Sequence, residues 1–491
     1  MIQNAQVTFS SRVSVFLLFV AVGMGSFATR GKSAPAGETP EGRLSSESLP
    51  SLMEPPAKPE PDGGYKAHIL LILAHRNDEI YVTGYLAKAI NDEHKRVAVL
   101  YLARGDTGND AEAHVAEDAL VAEREIEARL ALAFFGITHV WFFGAPDTVS
   151  QNPLWTLEKW NHGAALEEAV RIIRLTRPEI IISTLPAYYT GLENRGDHQA
   201  TGIIATEAFD MAGDPTKFPE QIAPPSKRSF GNWFGDVGIM NTEGLRPWQP
   251  EKMYYETNPE QVEILKGRGP AYSTTDVSPS LGVPYYVLAA RSESYHLSQQ
   301  GARVKEALAR GKVERFKLPV QLVFGKSLVG GSVTGDVFEG VVDSIPFVPV
   351  RGYQPETHTG VWVELGDLFV FYRKFWPAHN LDRVANLLPV PQMGINTGGE
   401  LPVPFLIQND TNEPALVNLK VELPPGWIER AGSGRYPVKA HDVCLVQAIL
   451  MAPSLGAGEW QEIAWHAQSA GQDIASGTIR VFLESRPGLP Q

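Results

Sequence analysis

The chain has 491 residues, 43% of them hydrophobic and 20% charged, with a formal net charge of -13. That length exceeds one ordinary core and predicts two or three domains, and the composition is that of a folded globular protein rather than a disordered or fibrous one. The acidic balance argues against nucleic acid and an anionic membrane surface as main partners, and leaves a neutral or small-molecule substrate.

At the N-terminus Arg12 precedes a short apolar run, 13–22, and the small residues Ser26 and Ala28 suit a cleavage point. The run is too short to span a bilayer comfortably, so residues 1–28 are expected to be a cleaved secretory signal. The protein is then exported, to the periplasm or the medium, and keeps no stable membrane anchor. Residues 29–64 are rich in Pro, Ser, Glu and Gly without periodicity, which predicts a disordered linker. From 65 the pattern changes. An apolar run at 68–74 reads as a strand buried on both faces, followed by a helix at 78–93 and a strand at 96–103. A helix at 112–135, a strand at 139–143, a helix at 158–176, a strand at 179–184 and a helix at 198–212 complete the alternation. Such spacing predicts an α/β fold, a doubly wound and mostly parallel Rossmann-like sheet over 65–310. No glycine-rich dinucleotide fingerprint follows the first strand.

After 311 short strands broken by Gly and Pro take over, at 318–324 and 360–370, which suggests a β-rich connecting region over 311–395. Strands at 403–407, 416–423, 443–451, 463–466 and 477–483 then predict a C-terminal immunoglobulin-like β-sandwich over 396–487, with Trp427 packed at its edge. Cys444 is the single cysteine, so no intrachain disulfide forms, and it reads as a small apolar residue in a strand.

Metal-capable side chains concentrate in two places. One is Ala74-His75-Arg76-Asn77-Asp78-Glu79, at the carboxyl end of the first strand. The other is Asn194-Arg195-Gly196-Asp197-His198-Gln199, after the fourth. In open parallel sheets the ligand crevice lies outside the carboxyl ends of the strands, where the strand order reverses. If that order is 3-2-1-4, strands one and four flank the crevice and both clusters open into it. Two imidazoles and a carboxylate suit zinc and leave a position for water, whose pKa the metal lowers to about 7. A plainer reading competes with this one. Asn77, Asp78 and Glu79 also make a good helix start, as does Asp197 before His198.

The segment Leu71-Ile-Leu-Ala-His75-Arg-Asn-Asp78-Glu79 resembles the Ala-His-Pro-Asp-Asp-Glu signature of the PIG-L/LmbE family of zinc-dependent N-acetylglucosaminyl deacetylases. Further motifs follow in order. Tyr101-Leu-Ala-Arg104-Gly-Asp106-Thr-Gly-Asn109, Arg124-Glu-Ile-Glu127-Ala128 and Phe143-Gly-Ala-Pro-Asp147 are similar to family elements. So are Gly196-Asp197-His198, Pro247-Trp248-Gln249 with Lys252-Met253-Tyr254, and Ser294-Tyr-His296-Leu-Ser298-Gln299. The resemblance spans roughly 67–300. It implies His75, Asp78 and His198 as zinc ligands, an N-acetylated sugar or glycoconjugate as partner, and Arg104, Asp106, Arg124, Asp147 and His296 as substrate-binding residues.

Two positions depart from the family. Asn77 stands where the family has its general base, and an amide cannot take a proton from water at ordinary pH. Arg195 stands where the family has a histidine that helps stabilise the oxyanion; it can hold negative charge but cannot shuttle a proton. Three outcomes are open: a slow deacetylase, a deacetylase in which Asp197 or Glu79 replaces the base, or a zinc-retaining pseudoenzyme that binds glycans.

Overall fold

The computed structural model describes residues 63–107, 117–148, 150–188, 196–222, 243–388 and 390–485. The expected signal, nearly all of the expected linker and Arg195 lie outside them. All described residues fall in one unit, Lys58–Gln491.

The apolar run after His68 forms β1 (Ile69–Leu73), every residue of it buried. Helix α1 (Thr83–Asn91), β2 (Val97–Ala103), α2 (Glu117–Ala133) and β3 (Val140–Ala145) follow. The single helix expected over 158–176 is two, α3 (Pro153–Lys159) and α4 (His162–Thr176). Asn161 breaks them by adopting φ 53°, a left-handed conformation that Asn tolerates better than most residues. Then come β4 (Ile180–Thr184), α5 (Gly196–Met211), the single turn α6 (Pro219–Ile222), β5 (Lys252–Glu256), β6 (Ala271–Tyr272), α7 (Tyr285–Glu293), α8 (Gly301–Ala309) and β7 (Val320–Ser327).

These strands make one sheet in the order β3-β2-β1-β4-β5-β7-β6, parallel from β3 to β5 and antiparallel beyond. Its two faces carry separate cores. Leu70 and Ile72 of β1 face α4 and α5, with Val170, Ile173, Ile203 and Ile204. Ile69, Leu71 and Leu73 face α1, α2 and α7, with Leu86, Leu132 and Leu288. The sheet is therefore doubly wound, as the alternation predicts, and its strand order reverses between β1 and β4.

Helix α5 lies unusually close to the end of β4. A Cβ built on Gly202 would sit 2.3 Å from the Thr184 carbonyl oxygen, so only glycine fits. Gly202→Ala is expected to destabilise the α/β part by about 1–3 kcal/mol through overpacking, read as a lowered unfolding midpoint. An unchanged midpoint would contradict that seating.

The segment 311–395 is not a β-rich region of its own. Strand β7 joins the α/β sheet beside β5. It runs antiparallel between β5 and the short β6 and is buried along most of its length. The strand expected over 360–370 ends early. Strand β8 (Val361–Leu365) stops, Asp367 turns the chain at φ 52°, and α9 (Leu368–Ala378) follows, then the turn α10 (Asp382–Ala385). The apolar sequence of α9 looks like a strand because the helix is covered on two sides. Phe369 packs in the sandwich core, whereas Phe375 and Trp376 pack in the α/β core. A buried cluster ties its end down: Lys326 pairs with Asp210, whose other oxygen lies 2.7 Å from His379 Nδ1.

Strands β9 (Gln392–Asn396), β10 (Glu400–Asn409), β11 (Ala415–Glu422), β12 (Ile428–Ala431), β13 (Gly434–Val438), β14 (Asp442–Met451), β15 (Trp460–Ser469) and β16 (Gln472–Glu484) complete the chain. They form two sheets, β12-β14-β10-β8 and β13-β11-β15-β16-β9, antiparallel except for the β9–β16 pair. Alternate residues such as Val403, Phe405 and Ile407 of β10 and Val417, Leu419 and Val421 of β11 fill the space between the sheets. Trp427 belongs to that core and not to its edge, and its indole N–H donates to Gln461. Cys444 packs against the same core from β14.

Candidate metal centre

The reversal between β1 and β4 opens a crevice at their carboxyl ends, and both clusters of metal-capable side chains meet there. After β1 the chain turns so that the His75 backbone N–H donates to Asp78 Oδ2 at 2.7 Å. On the other side Gly196 opens α5 with its N–H on the Ser150 carbonyl at 2.9 Å. A side chain at Gly196 would meet that carbonyl and the Thr156 hydroxyl at 2.7 Å, so glycine is what lets the helix start deep enough to deliver Asp197 and His198.

His75 Nδ1 lies 3.3 Å from His198 Nε2 and 3.7 Å from Asp78 Oδ2, and His198 Nε2 lies 3.4 Å from Asp78 Oδ1. Ligands about 2.0–2.1 Å from a tetrahedral ion stand about 3.3 Å apart, so the three side chains fit one divalent cation with a position to spare. His75, Asp78 and His198 form a group whose ligand atoms all lie within 4.8 Å of one another. The far nitrogen of His75, Nε2, faces Asp197 Oδ2 at 3.3 Å. A carboxylate on the outer nitrogen is the usual device for holding a ligating imidazole in one tautomer and orientation. Asp197 is itself fixed by the Thr148 hydroxyl and by the Thr148 backbone N–H at 2.9 Å.

Electrostatics agree with a cation site. Burial alone pulls the His75 imidazolium down, but the hydrogen bond to Asp197 and the charges of Asp78, Asp147 and Asp197 outweigh it and raise it to about 9. Burial pushes the Asp78 carboxyl up, and the neighbouring His198 and His75 bring it below its ordinary range.

The remaining expected site residues divide. Asn77 sits half-buried between two ligands, with no capping hydrogen bond from its side chain. Arg195 lies outside the described residues. Asp147 accepts from the backbone of Gly105 at 2.8 Å and of Thr107 at 3.0 Å, and Asp106 accepts from the backbone of Asp147 at 2.8 Å. Arg124 is buried and donates to the carbonyls of Gly105 and Thr107 at 2.7 and 2.9 Å. Asp106, Arg124 and Asp147 thus brace the turn after β2, and Asp147 also faces the crevice, where one of its oxygens lies within 4.8 Å of ligand atoms of His75 and Asp197. Arg104 reaches Asp106 at 2.6 Å and keeps a side chain that is 37% exposed.

His296 departs furthest from expectation. Its side chain is 2% exposed, and Nε2 lies 2.7 Å from Glu79 Oε1, behind the metal ligands and out of reach of a substrate. Glu79 is fully buried and accepts from the Tyr101 hydroxyl at 2.5 Å on its other oxygen. Burial lowers the His296 imidazolium, but the Glu79 charge and hydrogen bond more than reverse this. Held on both oxygens, Glu79 has no access to water in the crevice and cannot replace a missing base.

Thr148 and Tyr101 are site residues that sequence reasoning misses. Thr148 follows Asp147 directly, yet no spacing rule marks a lone threonine as the support of a distant aspartate. Tyr101 stands inside a quoted motif, but its role depends on which face of β2 turns toward Glu79.

Residues 70–209 match the family described as PIG-L: GlcNAc-PI de-N-acetylase. The chain is similar to 1D-myo-inositol 2-acetamido-2-deoxy-alpha-D-glucopyranoside deacetylase 1 of Catenulispora acidiphila, 27% identical over 196 residues. That match covers 35% of this chain and 56% of the relative, so the chain spans little more than half the length of this curated relative. Among solved structures it is similar to a conserved protein from Thermus thermophilus, with 17% identity, a TM-score of 0.34, and 54% of this chain and 97% of the other covered. It is also similar to the N,N'-diacetylchitobiose deacetylase of Pyrococcus horikoshii, with 14% identity, a TM-score of 0.31, and 52% and 83% covered.

Proposed function

Residues 70–209 form a PIG-L domain, and from that premise we propose that the chain is an exported zinc-dependent hydrolase of weakened activity that removes N-acetyl groups from N-acetylglucosamine-type sugars or glycoconjugates. The observation that carries the reading is the His75, Asp78 and His198 set, spaced for one tetrahedral ion inside that domain. When bound there, zinc supplies Lewis acidity toward the acetamide carbonyl and acidifies a water in its open position.

The chain's own residues do the rest. Asp197 holds His75 so that Nδ1 faces the ion, which makes it a positioning residue and not a free proton acceptor. Arg195, whose guanidinium keeps its charge at all working pH, stabilises the negative charge that develops on the carbonyl oxygen. Asn77 stands beside the ligands but cannot accept a proton, and Glu79 is sealed away. The general-base contribution, typically about 10²–10⁴-fold, is therefore missing.

Metal analysis of the purified chain is expected to find about one zinc per chain, and acetate release from N-acetylglucosamine substrates is expected to be slow but above a metal-stripped control. A metal-free preparation of intact fold sinks the proposal. Asp197→Ala is expected to weaken zinc binding by about 10–100-fold, as loss of an outer-shell partner does. A loss of turnover at unchanged zinc affinity would make Asp197 the base instead.

One observation favours a second reading. Asn77 and the engaged state of Glu79 and Asp197 also suit a zinc-retaining pseudoenzyme that binds glycans. Tight glycan binding without acetate release would select it.

A further inference from the structure

The first turn of α5 delivers both Asp197 and His198, and its seat is the segment 150–152, which belongs to no helix or strand. Gly196 donates to the Ser150 carbonyl there, and Gln199 Nε2 donates to the Gln151 carbonyl at 3.3 Å. A segment without a backbone ladder of its own keeps its place through what it touches. The Gln151 side chain reaches across to the sandwich. The Gly394 backbone N–H, in β9, donates to Gln151 Oε1 at 2.8 Å, and Gln151 Nε2 lies 3.5 Å from Glu484 Oε1 at the end of β16.

Both sides of that joint are built for close approach. A Cβ on Gly394 would sit 2.3 Å from Glu484 Oε1 and from the Tyr188 hydroxyl, so only glycine lets β9 come so near. Tyr188 donates to the same Glu484 oxygen at 3.1 Å, which ties in the segment after β4. Glu484 is buried, and a buried carboxylate is tolerable only with such donors. From α9 the Tyr372 hydroxyl donates to Gln199 Oε1 at 2.9 Å. Gln199, buried and one residue beyond the ligand His198, is thus held on its oxygen by α9 and on its nitrogen by Gln151. Tyr372, Gly394 and Glu484 all lie outside 70–209, the residues that match the family.

We propose that Gln151 and Gln199 are positioning residues through which the sandwich and α9 hold the first turn of α5, so that zinc affinity depends on the C-terminal half of the chain. The physical reason is the tolerance of a three-ligand site: its side chains must be held within about 0.5 Å by the groups behind them. The proposal rests on the zinc reading of the centre and needs no turnover.

Zinc affinity of the full chain, measured in competition with a chelator, tests it. Gln151→Ala is expected to weaken binding by at least about fivefold, short of the 10–100-fold typical of a partner directly on a ligand. Tyr372→Phe and Gln199→Met are each expected to weaken it by at least about threefold. The double variant should lose no more than the larger of those two effects, because both cut the same link. The visible spectrum of the cobalt-substituted protein, which reads ligand geometry, should change in the same single variants. Asn409→Ala is the control for stability alone: Asn409 donates to the carbonyls of Glu413, Val438 and Lys439 within the sandwich, outside this joint. It should lower the unfolding midpoint and leave zinc affinity and the cobalt spectrum unchanged. Zinc affinity within about twofold of wild type in Gln151→Ala and Tyr372→Phe overturns the inference. So does an equal loss in Asn409→Ala, or strict additivity in the double variant. If Gln151→Ala does not fold, Tyr372→Phe, which lacks only one oxygen, decides. Wild-type protein that takes up no zinc overturns the metal reading and this inference with it, whereas wild-type uptake indifferent to the variants overturns the inference alone.

Discussion

Replacing His198 with alanine is expected to empty the metal centre and bring acetate release down to background. The remaining pair, His75 and Asp78, is local to the turn after β1, whereas His198 reaches in from α5, 120 residues beyond Asp78. Two ligands on one short turn hold zinc far less tightly than three fixed on two elements, because the third must otherwise come from water. Helix α5 is seated by Gly196 and Gly202 and survives a side-chain truncation in its first turn, so the circular dichroism spectrum should not change. Zinc content after dialysis is the first readout and acetate the second. Zinc held at the wild-type level would show that the three-ligand assignment is wrong.

The same centre predicts a pH dependence. Without metal, His75 holds its proton up to about pH 9, and zinc must displace that proton to reach Nδ1. Apparent zinc affinity should therefore rise by about tenfold per pH unit as pH increases toward that value, then level off. A titration in competition with a chelator, repeated across pH, reads the slope directly. A flat profile would mean that the proton sits elsewhere.

Asn77→Asp is expected to raise the rate of deacetylation by about 10²–10⁴-fold. The two side chains are nearly the same size and shape, so the change installs a proton acceptor without disturbing the turn that leads into Asp78. It also adds a negative charge to a crevice already holding Asp78, Asp147 and Asp197, a repulsion that a bound dication offsets. The gain should consequently appear in the zinc-loaded protein and vanish after stripping. A new acidic limb in the pH profile of kcat/KM, absent from the parent, would identify the introduced carboxylate as the base. If zinc stays bound and no rate appears, the chain is a binder and Asn77 is not what stops turnover.

The α/β fold and the position of its crevice could be read from the sequence for a definite reason. A strand buried on both faces must be apolar at every position, as at Ile69–Leu73, and the helices between such strands leave few ways to order them. Metal-capable residues at the ends of β1 and β4 then converge by topology alone. The roles of Arg124 and His296 could not be read in the same way. Both are polar residues in motifs, and only tertiary packing shows that Arg124 braces a turn and that His296 backs Glu79. Strand β7 and helix α9 misled for different reasons. Only the pairing of β7 with β5 and β6 shows which sheet it joins, and α9 opens on an apolar run, Leu368–Tyr372, that reads like a buried strand because the helix is covered on two sides.

The path of the chain across the junction has a consequence for inheritance. Strand β7 belongs to the α/β sheet, β8 to the sandwich, the far end of α9 to the α/β core, and β9 to the sandwich again. The two halves are therefore laced together rather than strung in series. A single cut near 360 separates the sandwich in sequence but not in space, and a gene fusion that swapped it for another module would have to carry residues 361–485 as a block. The α9 face bearing Phe375 and Trp376 would travel with it, leaving the α/β core without a cover. Recombination should thus have preserved this pair as one heritable piece, and limited proteolysis near 360 or 390 should nick the backbone without separating the fragments.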